Sequence, residues 1–91
     1  MKRNIVYSDM LERYINLDYL TTIFVEGYGG DNGKMKCYRV RVQMSDGISY
    51  TYGRYQSEFN SYGNDLGYEK AGECMHDLAR ELGVEAHAVR D

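Results

Sequence analysis

The stretch MKCYRVRVQMSDGISYTYG, residues 35–53, decides which side of a sheet is dry. Side chains alternate along its first half. Tyr38, Val40, Val42 and Met44 point one way and Cys37, Arg39, Arg41 and Gln43 the other, the period of a half-buried strand. The turn that follows sets the register of the next strand. A two-residue turn at Asp46-Gly47 would put Ser45 opposite Ile48 and throw Tyr50 and Tyr52 onto the arginine side. A three-residue loop, Ser45-Asp46-Gly47 with Gly47 left-handed, sets Met44 opposite Ile48, Val42 opposite Tyr50 and Val40 opposite Tyr52. A slip of one residue exchanges the two faces of a strand, so hydrophobic matching selects the three-residue loop. Tyr50 and Tyr52 then face the core, while Arg39, Arg41, Ser49, Thr51 and Gly53 line the opposite face.

Working outward, SDMLERYINLD (residues 8–18) reads as a helix. Ser8 or Asp9 can cap it, Asp9 and Glu12 have capping-box spacing, and Met10, Leu11, Tyr14, Ile15 and Leu17 form its apolar side. The β-branched and aromatic YLTTIFVEG that follows predicts a strand over 20–27, and YGGDNG, with three glycines in six residues, a hairpin loop. After the second hairpin, QSEFNSYGND is a polar connection, expected to be anchored by Phe59 or Tyr62. Tyr68, Ala71, Met75, Leu78, Ala79 and Leu82 then recur at helical spacing. Glu69, Lys70, Glu73, His76, Asp77, Arg80 and Glu81 make the wet side of that helix, and Gly83 its stop. VEAHAV (84–89) reads as a short edge strand or a tail. The expected fold is therefore α+β: a two-layer sandwich in the order helix, three-stranded antiparallel sheet, helix (αβββα), with the option of a short C-terminal strand. It forms one domain over 1–91.

Composition narrows the function. Leu, Ile, Val and Phe make up 18 of 91 residues, near the level below which chains stay disordered, so some of the ten tyrosines must belong to the core. A net charge of −3 gives no general attraction for nucleic acid. No long apolar run and no signal-peptide pattern occur, which predicts a soluble, unexported protein of the cytoplasm. Cys37 and Cys74 lack any Cys-x-x-Cys partner and read as free, partly buried thiols.

The glycine-rich segments lack the spacing and context of the known ligand loops. GNDLGYEK lacks the spacing of a phosphate-binding loop and places Asp65 and Glu69 where an anion would sit, so helix capping explains it better. YGGDNGK joins two strands and opens no helix, which removes the dinucleotide reading; as a contact loop it would offer Tyr28, Asp31 and Asn32. Cys74 and His76, two apart on a helix, point in different directions and cannot clasp one metal ion with His87 unaided. Asp77 and Glu81 are like charges on a solvated face. No catalytic residue, cofactor site or metal site is expected.

The informative feature is the supply of tyrosine and arginine. Arg39, Arg41 and Tyr55 are expected on the sheet face opposite the helices, with Arg54 at its end and the carboxylates Glu26, Asp31, Asp46 and Glu58 flanking it. Tyr and Arg carry binding energy at protein interfaces. With the 28–33 loop and the 56–65 connection, the candidate partner-binding set is Tyr28, Asp31, Asn32, Arg39, Arg41, Arg54, Tyr55 and Tyr62.

Two resemblances bear on this. The helix–three strands–helix order over residues 9–83 resembles the double-stranded-RNA-binding domain. That family's basic cluster at the start of its last helix is represented here by Lys70 alone, between Glu69 and Glu73. YTYGRYQ, YGND and GYEKAGECMHDL, about the last 45 residues, are similar to small proteins of phages and other mobile elements, some of them anti-CRISPR or anti-restriction inhibitors. That similarity implies a non-enzymatic protein that docks stoichiometrically on a host protein or protein–nucleic-acid complex, such as a CRISPR effector. A nucleic-acid-binding domain and a small homodimeric ligand-binding protein are the alternatives.

Overall fold

The computed structural model describes residues 4–30 and 36–84. It contains five strands and one α-helix: β1 (Ile5–Ser8), β2 (Arg13–Asn16), a 3₁₀ turn (Leu17–Tyr19), β3 (Leu20–Gly29), β4 (Lys36–Met44), β5 (Ser49–Gln56) and α1 (Leu66–Leu82). β3, β4 and β5 form an antiparallel sheet in that order, and β1 with β2 a separate two-stranded ribbon.

The expected first helix is absent, so the αβββα assignment is wrong. The fold is β-rich with a single helix, and the helix–strand order behind the likeness to double-stranded-RNA-binding domains is not present. The reason lies in one turn. Ser8 Oγ does accept the Leu11 N–H at 3.0 Å, the bond a helix cap would make. The chain then leaves the helical path at Glu12, the one described non-glycine residue with positive φ (54°), and folds back as β2. Tyr7 pairs with Tyr14 and Val6 with Ile15. Glu81 of α1 reinforces the turn: its carboxylate accepts from Ser8 Oγ (3.1 Å), from the Met10 N–H (3.2 Å) and from the Asp9 N–H. A residue expected on the wet face of the helix thus supplies acceptors for donors that even a helix starting at Ser8 would have left without an intrahelical partner.

The second hairpin follows the predicted register. Val42 pairs with Tyr50 and Val40 with Tyr52. The Met44 N–H donates to the Ile48 carbonyl at 2.9 Å, and Gly47 has φ 91°. β3 runs two residues beyond the predicted strand, so Tyr28 and Gly29 belong to it rather than to a loop. Asp31, Asn32 and residues 85–89 of the predicted tail or strand lie outside the described residues.

α1 and the β1–β2 ribbon together cover one face of the sheet. Ile23, Val25, Val40, Val42 and Met44 from the sheet form one cluster with Ala71, Cys74, Met75, Leu78, Ala79 and Leu82 from α1, and with Leu11 and Ile15 from the ribbon. Tyr38, Tyr50, Tyr52 and Tyr55 pack on its margin, giving the tyrosines the structural place that composition demanded. Each fully buried aliphatic side chain contributes roughly 1.5–3 kcal/mol, so Ile15, at 1% exposure, ties the ribbon down despite its four-residue strands. Tyr68, expected in the buried stripe, is 40% exposed and meets Tyr38 edge-on with ring centroids 5.4 Å apart.

Candidate functional site

Among the described residues, no helix or strand of the core cluster lies on the other face of the sheet. Alternation from the buried Ile23 and Val25 puts Phe24, Glu26 and Tyr28 of β3 on it. Cross-strand pairing sets Phe24 beside Arg41, Glu26 beside Arg39, and Arg41 beside Thr51.

The arginines are held in place. Glu26 Oε1 accepts from Arg39 Nε at 2.8 Å and Nη2 at 2.6 Å, and Glu26 Oε2 from Arg41 Nη1 at 2.8 Å. Arg41 Nη2 donates to Ser49 Oγ at 3.1 Å. The Arg39 guanidinium lies 4.5 Å from the centre of the Tyr28 ring, a cation–π contact. The Arg39 bond holds the Glu26 carboxyl below its ordinary range; partial burial opposes this and Arg41 assists it. Side-chain exposures of 32% for each arginine and 23% for Glu26 place the cluster at the surface, where such a pair contributes at most about 1 kcal/mol to stability. The larger consequence is order. Two long side chains that would each lose about 0.5–1.5 kcal/mol of rotamer freedom on docking are already fixed.

Of the candidate partner-binding residues within the described chain, Tyr28, Arg39 and Arg41 come together on this face. Arg54 is exposed at the sheet's end, and Tyr62, 87% exposed, lies on the separate 57–64 connection. Neither Tyr62 nor Phe59, at 68% exposure, anchors that connection. Tyr55 is on the opposite side of the sheet from the one expected. A β-bulge at Gly53 (φ 80°) shifts the register so that Tyr55 pairs with Tyr38 and turns toward α1. There its hydroxyl is hydrogen-bonded to Cys74, and that bond and burial push its pKa up to about 12. Phe24 is the residue that sequence reading missed. The period-2 pattern of TTIFVEGY carried the signal once Ile23 and Val25 were assigned inward.

Neither cysteine is a nucleophile of the usual kind. Both are free and buried, and burial pushes the Cys74 thiol up, against thiolate formation. His76 is exposed on the same helix, and among the described residues no cluster of His, Cys, Asp and Glu could hold a metal ion. An open cleft of about 360 Å³ between β5 and α1 is lined by Met10, Tyr52, Tyr55, Lys70, Glu73, Cys74 and Asp77. Among the described residues no helix is long and apolar enough to cross a membrane.

The glycine-rich start of α1 is a capping site. Asp65 accepts from the Gly67 and Tyr68 N–H groups, from Ser57 Oγ, from Tyr38 Oη at 2.9 Å and from the Glu58 N–H at 3.1 Å. Burial raises its pKa, but the bonds from Ser57, Glu58, Tyr38 and Tyr68 outweigh that and hold it at about 2, below the ordinary 3.8. Because the folded-state value is depressed, Asp65 stabilises the fold above pH 3.8, and this contribution disappears as pH falls through about 2. Thermal melts are expected to show stability dropping between about pH 4 and about pH 2. In Asp65→Asn the native protein's extra loss over that range should vanish; an unchanged acid limb would contradict the assignment.

Comparison with known proteins finds no matching family, no matching curated protein and no matching solved structure.

Proposed function

We propose that this chain is a non-enzymatic protein-binding module that docks through its open sheet face, and that it acts as a stoichiometric inhibitor of a bacterial nucleic-acid-targeting defence complex. The observation that carries the docking role is the Glu26–Arg39–Arg41 cluster beside Tyr28 and Phe24: aromatic area and pre-ordered guanidinium groups on a sheet face with no described element over it. The face has one more positive than negative side chain (Arg39 and Arg41 against Glu26) in a chain of net charge −3, which suits a partner patch bearing carboxylates. The choice of target class rests on the similarity of the last 45 residues to mobile-element inhibitors.

The test is titration of the purified chain into the cleavage reactions of a panel of CRISPR effector complexes. One complex is expected to lose activity at one chain per complex. The double variant Arg39→Ala/Arg41→Ala should require about 30-fold more protein, the loss of a hot spot of about 2 kcal/mol. Its melting temperature should stay close to the native value, because the cluster adds little stability. No inhibition across the panel at roughly tenfold excess would reject the target class, and equal potency of the double variant would reject the face. A salt-sensitive gel shift with free nucleic acid would move the ligand from protein to nucleic acid.

A further inference from the structure

Among the described residues, β3 is a ten-residue edge strand hydrogen-bonded on one side only, to β4. Edge strands in stable monomers are blunted by proline, lysine, charge or a bulge. From Thr22 to Gly29 the pairing of β3 with β4 is uninterrupted, with no proline or lysine, and its single charge, Glu26, is bound by the two arginines on the sheet face. The opposite edge, β5, is guarded by the Gly53 bulge and the exposed Arg54.

We infer that the β3 edge pairs antiparallel with the β3 edge of a second copy, joining two three-stranded sheets into one of six. The strand's own sequence selects this occupant. Directly opposite residues of an antiparallel pair share a face, so a two-fold pairing of β3 with itself must centre on a residue. Centring on Phe24 sets Phe24 against Phe24, and Ile23 against Val25 on the buried side. It also brings Thr22, whose Oγ1 is buried without a hydrogen-bond partner, opposite Glu26 of the second copy. Centring one residue later would set Ile23 against Gly27 and Phe24 against Glu26, losing both apolar matches. The pairing leaves both open faces on the same side, so the dimer presents two Arg39–Arg41 clusters on one continuous surface. Pairing uses the strand edge and the Phe24 side chain, and its test reads mass and crosslinking, so it stands or falls apart from what the face binds.

The experiment is light scattering across a concentration series, with single-cysteine variants of the full chain oxidised by diamide. The expected mass is twice the 10.5 kDa of one chain. Phe24 lies outside the core cluster, so Phe24→Cys should fold and give a disulfide-linked dimer across the axis, where opposite Cβ atoms are about 4.5–5.5 Å apart. Thr51→Cys on β5 should remain uncrosslinked. Phe24→Lys, which sets two lysines against each other, should halve the mass while retaining a cooperative melt. A mass of 10.5 kDa at every concentration would overturn the inference. So would a dimer that crosslinks through Thr51→Cys, or one that persists in Phe24→Lys.

Discussion

Gly67→Ala is expected to destabilise the protein by about 3 kcal/mol, lowering the melting temperature by roughly 12–24 °C, whereas Gly72→Ala on the same helix should raise it. A Cβ on Gly67 would sit 2.1 Å from the Gln56 carbonyl oxygen and 2.6 Å from its carbon, both backbone atoms at the end of β5. α1 can approach the sheet there only because that side chain is missing. Alanine's better helix propensity, worth about 1 kcal/mol, cannot offset a clash that forces the helix off the strand. At Gly72 nothing lies within 4 Å of the position a methyl group would take, so the same propensity gain, about 1 kcal/mol, should appear almost undiminished. Thermal or urea melts of the two variants settle the matter. Equal effects of either sign would mean that the helix does not sit on Gln56 as described.

Glu81→Ala is expected to cost about 2–3 kcal/mol, because it removes one carboxylate from three donors at once. Ser8, with 0% exposure, would keep the Leu11 N–H as donor to its oxygen but lose the acceptor for its own proton. The damage should be local first. Amide exchange at Arg13–Asn16 should speed up well before exchange in β4, which is central in its sheet. Glu81→Gln, which still offers an oxygen acceptor, should fall between the two proteins. Uniform acceleration across all strands would show that the ribbon is not held by this contact.

These two sites also show what the sequence could and could not disclose. The β4–β5 register was legible because alternation and a single left-handed glycine agree on it, and a wrong choice would have thrown Tyr50 and Tyr52 onto the arginine side. The helix from Leu66 was legible for the same kind of reason: an acidic cap, one apolar stripe and a glycine stop act together. Residues 8–18 misled because SDMLERYINLD satisfies helix spacing and does form the Ser8 capping bond. What redirects it is a carboxylate far along the chain, on Glu81, and an apolar ribbon surface, Leu11 and Ile15, that fills the sheet beside α1. Tertiary contacts of that range leave no local periodicity to read. The candidate site was half legible. Arg39 and Arg41 followed from alternation in β4, but Tyr55 did not, since the Gly53 bulge moves it to the other face and glycine in a strand does not announce which way the bulge turns. The role of Gly67 was similarly hidden, because a glycine in a helix's first turn looks like capping punctuation until its neighbour across space is known.

One division underlies the proposed docking role: α1 and the β1–β2 ribbon dry one side of the β3–β4–β5 sheet, and no described element covers the arginine-bearing side. The most direct measurement is NMR relaxation with a soluble paramagnetic probe on the isotope-labelled chain. The side-chain signals of Thr51 and Arg41 should broaden strongly, and the methyl groups of Val40 and Val42, at 0% exposure, should be protected. Broadened Val40 and Val42 signals beside protected Thr51 and Arg41 would contradict it.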